Sequence, residues 1–187
     1  MELCSFLIAS VIYNNQLLAR LEVKSMVDEL TQLKSRNALN ERVEKYSSVD
    51  PGSSETIGVV FADLNGLKTT NDLKGHEAGD RLLVKAASLL KIGFGDWEIY
   101  RAGGDEFVIL CPGVTEETMQ NQLSDIRRLL ESTSDVSFAF GTAYCRESQN
   151  IRQAIKMADE NMYRDKENYY RDHPEKDRRL RTGKILQ

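Results

Sequence analysis

The sequence predicts an α+β domain, with a central, mainly antiparallel sheet flanked by helices. Three observations carry this. Hydrophobic periodicity gives the order helix, strand, helix, hairpin, helix, strand, helix. Val59-Val60-Phe61-Ala62 is an unbroken apolar run, as in a strand covered on both faces. Gly103-Gly104 separates two short strand-forming runs, the pattern of a tight hairpin, since glycine enters the φ > 0 region at little cost.

Residues 1–27 read as a helix. Leu7, Val11, Asn14, Leu18 and Leu21 fall at alternating steps of four and three, which suits either a coiled-coil seam or a helix packed on its own domain. A second helix is expected over 28–46, with Leu30, Leu33, Leu39 and Val43 inward. The Ser-, Pro- and Gly-rich stretch 47–54 is a loop. A buried strand follows over 58–63, then a polar loop or short helical turn over 64–75. Leu82, Leu83, Ala86, Leu89 and Leu90 give a helix over 78–92 its apolar stripe. The hairpin strands are 98–102 and 106–110, and Pro112-Gly113 closes the second. Thr115 is the expected N-cap of a helix reaching 131. Residues 136–145 alternate as a strand, and Asn150 is the expected cap of a last helix over 151–168. The division is therefore a helix suited to dimerisation (1–27), a main packed domain (28–170) and a polar, fraying tail (171–187).

At 187 residues the chain suffices for one packed domain and an appendage. A net charge of −4 argues against binding a nucleic-acid polymer through a basic surface. The three cysteines are widely spaced and form no zinc pattern, so they read as reduced thiols of a cytosolic protein. The apolar stretch 6–12 is shorter than the roughly 20 residues of a membrane span. A cytoplasmic location follows, either free or as the cytoplasmic part of a membrane-attached sensor.

The chemistry lies at strand ends. Asp63 ends the buried strand, and Asp105 and Glu106 follow the Gly-Gly turn. Hard oxygen ligands on rigid elements suit Mg²⁺. Two such acidic sites in one small domain point to metal-assisted phosphoryl transfer. No GxxxxGK[ST] phosphate loop is present, which disfavours a simple ATPase or GTPase.

Five ordered blocks over about 28–166 resemble the GGDEF family of diguanylate cyclases. Asp28-Glu29-Leu30-Thr31-Gln32-Leu33 is similar to that family's D-x-L-T-G-L, and Asp63-Leu64-Asn65-Gly66-Leu67-Lys68-Thr69-Thr70-Asn71-Asp72 to its D-[LV]-[DN]-x-[FL]-K-x-x-N-D. Gly75-His76-Glu77-Ala78-Gly79-Asp80 is similar to G-H-x-x-G-D, residues 101–107 contain the naming motif, and 158–166 are similar to A-D-x-A-L-Y-x-A-K. The resemblance implies a palm-like fold shared with nucleotidyl cyclases and polymerases. It implies condensation of two GTP molecules into cyclic di-GMP, with release of pyrophosphate, across a homodimer interface. It also implies two Mg²⁺ ions, with Mn²⁺ as an alternative, held by Asp63, the Leu64 carbonyl, Asp105 and Glu106. Asp63, Asp105 and Glu106 are the implied catalytic residues. Asn71 and Asp80 would read guanine, whose N1–H and N2–H donors adenine does not reproduce, and Lys68 and Lys166 would hold phosphates. The same resemblance leaves Arg101 a supporting role.

The chain departs from the family pattern in places. Gln32 and Ser35 replace the usual Gly and Asn of a turn, and Gly66 replaces a common bulky residue. Tyr170 stands where an arginine usually touches phosphate, with Arg171 one position later as a substitute. The Arg-x-x-Asp inhibitory positions are Phe94 and Trp97, so product inhibition through that site is not expected. The leading expectation is an active cyclase whose upstream sensor domain is absent from this chain. The alternative is a degenerate module that binds GTP and regulates a partner. A cyclase making a mixed dinucleotide is disfavoured by Asp80.

Overall fold

The structure is a computed structural model that describes residues 26–50, 55–133 and 135–174. The expected N-terminal helix, apart from Met26 and Val27, lies outside the described residues, as does the tail beyond 174. The elements are α1 (Arg36–Ser47), β1 (Ile57–Leu64), α2 (Leu67–Lys74), α3 (His76–Phe94), β2 (Glu98–Arg101), β3 (Glu106–Pro112), α4 (Glu116–Thr133), β4 (Phe138–Cys145) and α5 (Ile151–Asp172), with a 3₁₀ turn, Ser148–Asn150, before α5. The four strands form one antiparallel sheet in the order β2-β3-β1-β4. The α+β expectation holds.

Every residue of β1 is buried, because the strand is central and covered on both faces. Its alternation splits the core. Val60, Ala62 and Leu64 join one apolar cluster with α3 and α4, through residues such as Leu90 and Ile126. Ile57, Val59 and Phe61 join a second with α1 and α5, including Val43, Ile151 and Met162. By this period of two, Asp63 faces α5.

The first helix differs from expectation. Residues 28–35 form a turn rather than helix: Asp28 Oδ1 accepts from the Thr31 N–H and hydroxyl, and Gln32 sits at φ 54°. An aspartate that bonds backbone three residues on competes with helix hydrogen bonding. Ser35 then caps α1 by accepting from the Ala38 N–H. The polar 64–75 stretch contains a full short helix, entered through Gly66 at φ 79°, a conformation that strains any L side chain. Thr115 accepts from the Thr118 N–H as expected. Asn150 makes no side-chain cap on α5; its amide donates to Glu147 instead. Among the described residues no helix is long and apolar enough to cross a membrane.

Candidate active site

The end of β1 is built by three strands and one helix. Asp63 is the cross-strand partner of Glu106 on β3 and of Ala139 on β4. The Leu64 N–H donates to the Asp105 carbonyl, which ties the hairpin turn to the end of β1. Like charges placed directly opposite on a sheet are destabilising unless a cation intervenes. On the Asp63 side, Lys166 supplies a cation. On α5, Ala158 and Met162 are buried, and Lys166 continues the same i, i+4 stripe one turn further. Its Nζ lies 2.7 Å from both oxygens of Asp63. Burial pushes the Asp63 carboxyl above its usual range, and the neighbouring Asp105 and Glu106 charges add to this against the pull of Lys166. Burial works against the Lys166 ammonium, but the Asp63 contact outweighs it and raises its pKa.

These groups line a cleft of about 480 Å³ with Leu64, Lys68 and Tyr170. The structure thus brings together Asp63, Leu64, Asp105, Glu106, Lys68 and Lys166. Asn71 and Asp80 are not part of that lining. They stand on the packed pair α2 and α3, where Asp80 is exposed and the buried Asn71 Oδ1 has no hydrogen-bond partner. A Cβ on Gly79 would come within 1.8 Å of that oxygen, so glycine there makes room for the Asn71 amide.

The hairpin departs from its sequence reading in one respect. Neither Gly103 nor Gly104 has positive φ. A Cβ on Gly103 would meet Glu106 Oε2 at 2.5 Å, so this glycine leaves room for a carboxylate rather than satisfying a turn angle. Arg101 supports the turn as expected. Its Nη1 lies 3.0 Å from Asp28 Oδ1, and its Nη2 donates to the Gly104 carbonyl at 2.8 Å. Arg171 does not fill the place of the missing arginine: it lies near Asp172, and Tyr170 lines the cleft with its hydroxyl against the Gly66 backbone. Phe94 and Trp97 stack with ring centroids 5.7 Å apart.

The carboxylates of Asp63, Asp105, Glu106, Asp159 and Glu167 outnumber the ammonium groups of Lys68 and Lys166 along this cleft. A polyanionic substrate enters such a site only with compensating cations, and hard carboxylate oxygens fit a divalent one. As positioned, no group of three or more His, Cys, Asp or Glu among the described residues is arranged to hold a metal ion. Both Asp63 oxygens are engaged by Lys166. The donor set therefore fits Mg²⁺ in chemistry, with Lys166 standing beside Asp63 as a cation already in place.

A site missed by the sequence reading adjoins this cleft. Asn65 Oδ1 and Nδ2 are buried without partners beside a smaller cavity of about 240 Å³ that shares Gly66, Thr69 and Tyr170. Its sequence signals were a polar residue directly after a buried strand and its match to the [DN] position of the second block.

Sheet and cleft together define a palm-like α+β domain with an acidic site at the end of its central strands. The family model described as "Diguanylate cyclase, GGDEF domain" matches residues 25–171, and the chain belongs to that family. It is 29% identical over 147 residues to the probable diguanylate cyclase DgcI of Escherichia coli K12, covering 77% of this chain and 32% of that protein. It is 31% identical over 108 residues to the cyclic di-GMP phosphodiesterase PdeR of the same organism, covering 57% of this chain and 16% of that one. The chain thus spans a third or less of these two relatives. The crystal structure of the GGDEF domain of DgcB from Caulobacter crescentus, in complex with c-di-GMP, is similar in fold. Its TM-score is 0.68 at 21% identity, covering 77% of this chain and 91% of that one.

Proposed function

We propose that this chain is a metal-dependent diguanylate cyclase that condenses two GTP molecules into cyclic di-GMP and releases pyrophosphate. The observation that carries this reading is the placement of Asp63, Asp105, Glu106 and Lys166 around one cleft at the end of β1. Asp63, Glu106, Asp105 and the Leu64 carbonyl would hold Mg²⁺, which when bound neutralises phosphate charge and activates the attacking 3′-hydroxyl. Asp105, on the turn, is the group assigned to draw the proton from that hydroxyl. Lys68 at the mouth and Lys166 at the floor face the phosphates. Asn71 and Asp80 present acceptor oxygens to the guanine N1–H and N2–H, and the unpartnered Asn71 Oδ1 supports this role. One cleft holds one GTP, so the reaction needs a second copy of the domain face to face, with an upstream sensor governing that encounter.

The test is incubation of the purified chain with GTP and Mg²⁺, with product read by mass, beside Asp105→Ala. Cyclic di-GMP from the wild type alone is expected.

A second reading is a module that binds GTP and regulates a partner without catalysis. Tyr170 at the usual arginine position favours it, and one relative, matched over 16% of its length, is named a cyclic di-GMP phosphodiesterase. Saturable, Mg²⁺-dependent GTP binding without product, even in a forced-dimer fusion, would select this reading.

A further inference from the structure

Lys166 holds Asp63 in a manner that bears on how the cleft is loaded. Its ammonium reaches both carboxylate oxygens at 2.7 Å, and these are its hydrogen bonds among the described residues. Asp63 is 5% exposed, so few alternatives to Lys166 are available to it from solvent. Lys166 itself is more open, with 27% of its side chain exposed. Its stem rises from the α5 stripe just beyond buried Met162. A lysine carries a compact charge on a flexible four-carbon stem, which suits movement between two partners. A divalent ion on this buried carboxylate would stand close to the ammonium, and the repulsion between the two cations weakens the hold of Lys166 on Asp63.

We propose that Lys166 is the resident counter-cation of Asp63 and competes with a divalent ion for that carboxylate. When displaced, it turns from Asp63 into the cleft and becomes available to phosphate. Lys166 is thus a positioning residue whose freedom depends on what occupies Asp63. The proposal rests on the reading of this cleft as a metal–nucleotide site.

The test has two arms, neither using activity. In the wild-type chain, amine labelling of Lys166 is measured by peptide mass with and without Mn²⁺, Lys68 serving as reference. Labelling of Lys166 is expected to rise several-fold with Mn²⁺ while Lys68 is unchanged; unchanged or reduced labelling overturns the proposal. In the second arm, Mn²⁺ binding to the nucleotide-free chain is measured by calorimetry for the wild type, Lys166→Met and Lys166→Arg. Lys166→Met, which removes the competing cation, is expected to bind about tenfold tighter, about 1.4 kcal/mol, and Lys166→Arg as weakly as the wild type. Equal or weaker binding by Lys166→Met overturns the proposal. Cyclic di-GMP from a wild type that fails both arms would leave the cyclase reading standing. Passing both arms with no product, even from a forced-dimer fusion, would remove the cyclase reading and leave the competition.

Discussion

Asp28 and Arg101 lie far apart in sequence, yet one carboxylate links the turn before α1 to the hairpin before β3. Arg101 Nη1 lies 3.0 Å from Asp28 Oδ1 and 3.2 Å from Oδ2, while Thr31 donates to Oδ1 twice. Burial pushes the Asp28 carboxyl up, but the hydrogen bonds from Thr31 and Arg101 outweigh it and hold it below its ordinary value. A group lowered by folding contributes stability above its unfolded pKa and loses it as pH falls through the folded value. Asp28→Asn is therefore expected to cost about 1–2 kcal/mol at neutral pH. That cost should shrink as pH drops below about 4. Denaturant unfolding at pH 7 and pH 3 checks this, and an equal gap at both would refute it. At this scale the sequence was readable by type and less by reason. Gly103 was legible as a required glycine, but its reason is the Glu106 carboxylate beside it. Asn65 matched a motif position, but its burial without a partner was not legible, because its environment comes from residues distant in the chain.

At the scale of elements, α5 positions the chemistry. Its stripe Ala158, Met162, Lys166 places the ammonium over the end of β1 only if the helix lies close against β4. That closeness depends on Gly141, where an added Cβ would meet the Ala158 carbonyl oxygen at 2.0 Å and the Met162 nitrogen at 2.1 Å. Both obstacles are backbone, which cannot swing aside. Gly141→Ala is expected to destabilise the domain by about 1–3 kcal/mol or more. It should also weaken GTP binding by shifting Lys166, as measured by thermal unfolding and nucleotide titration. Unchanged midpoint and affinity would show that α5 has slack. The strands and the long helices were legible because their periods are written locally. The start of α1 was not. Leu30 and Leu33 fit a helical stripe, yet Asp28 bonds Thr31, and Lys34 pairs with β2 through its N–H to the Ile99 carbonyl. Those tertiary and turn contacts override the apolar pattern.

At the scale of the molecule, the sheet order places two features far apart in function. The β1–β3 pairing assembles the carboxylate site, while Phe94 at the end of α3 and Trp97 in the turn before β2 stack on each other. Phe94 is 2% exposed and belongs to the core. An apolar stacked pair offers no charge to a cyclic dinucleotide. Turnover is therefore expected to show no product inhibition that maps to residues 94–97. Titrating cyclic di-GMP into the GTP reaction checks this, and inhibition removed by substitutions at 94 and 97 would contradict it.

What the sequence determined by itself is the strands and the long helices, the buried character of β1, the acids at strand ends and the ordered blocks that mark the family. Each is written in near neighbours, through periods of two or 3.6 residues and through spacing within a motif. What only the tertiary structure decided is which groups meet. Asp63 and Lys166 are 103 positions apart and bond at 2.7 Å. Asp63 and Glu106 oppose one another through strand register, and Arg171 lies near Asp172 rather than serving the cleft. These outcomes depend on strand order and on how closely α5 lies on β4, and long-range packing rather than local pattern sets both.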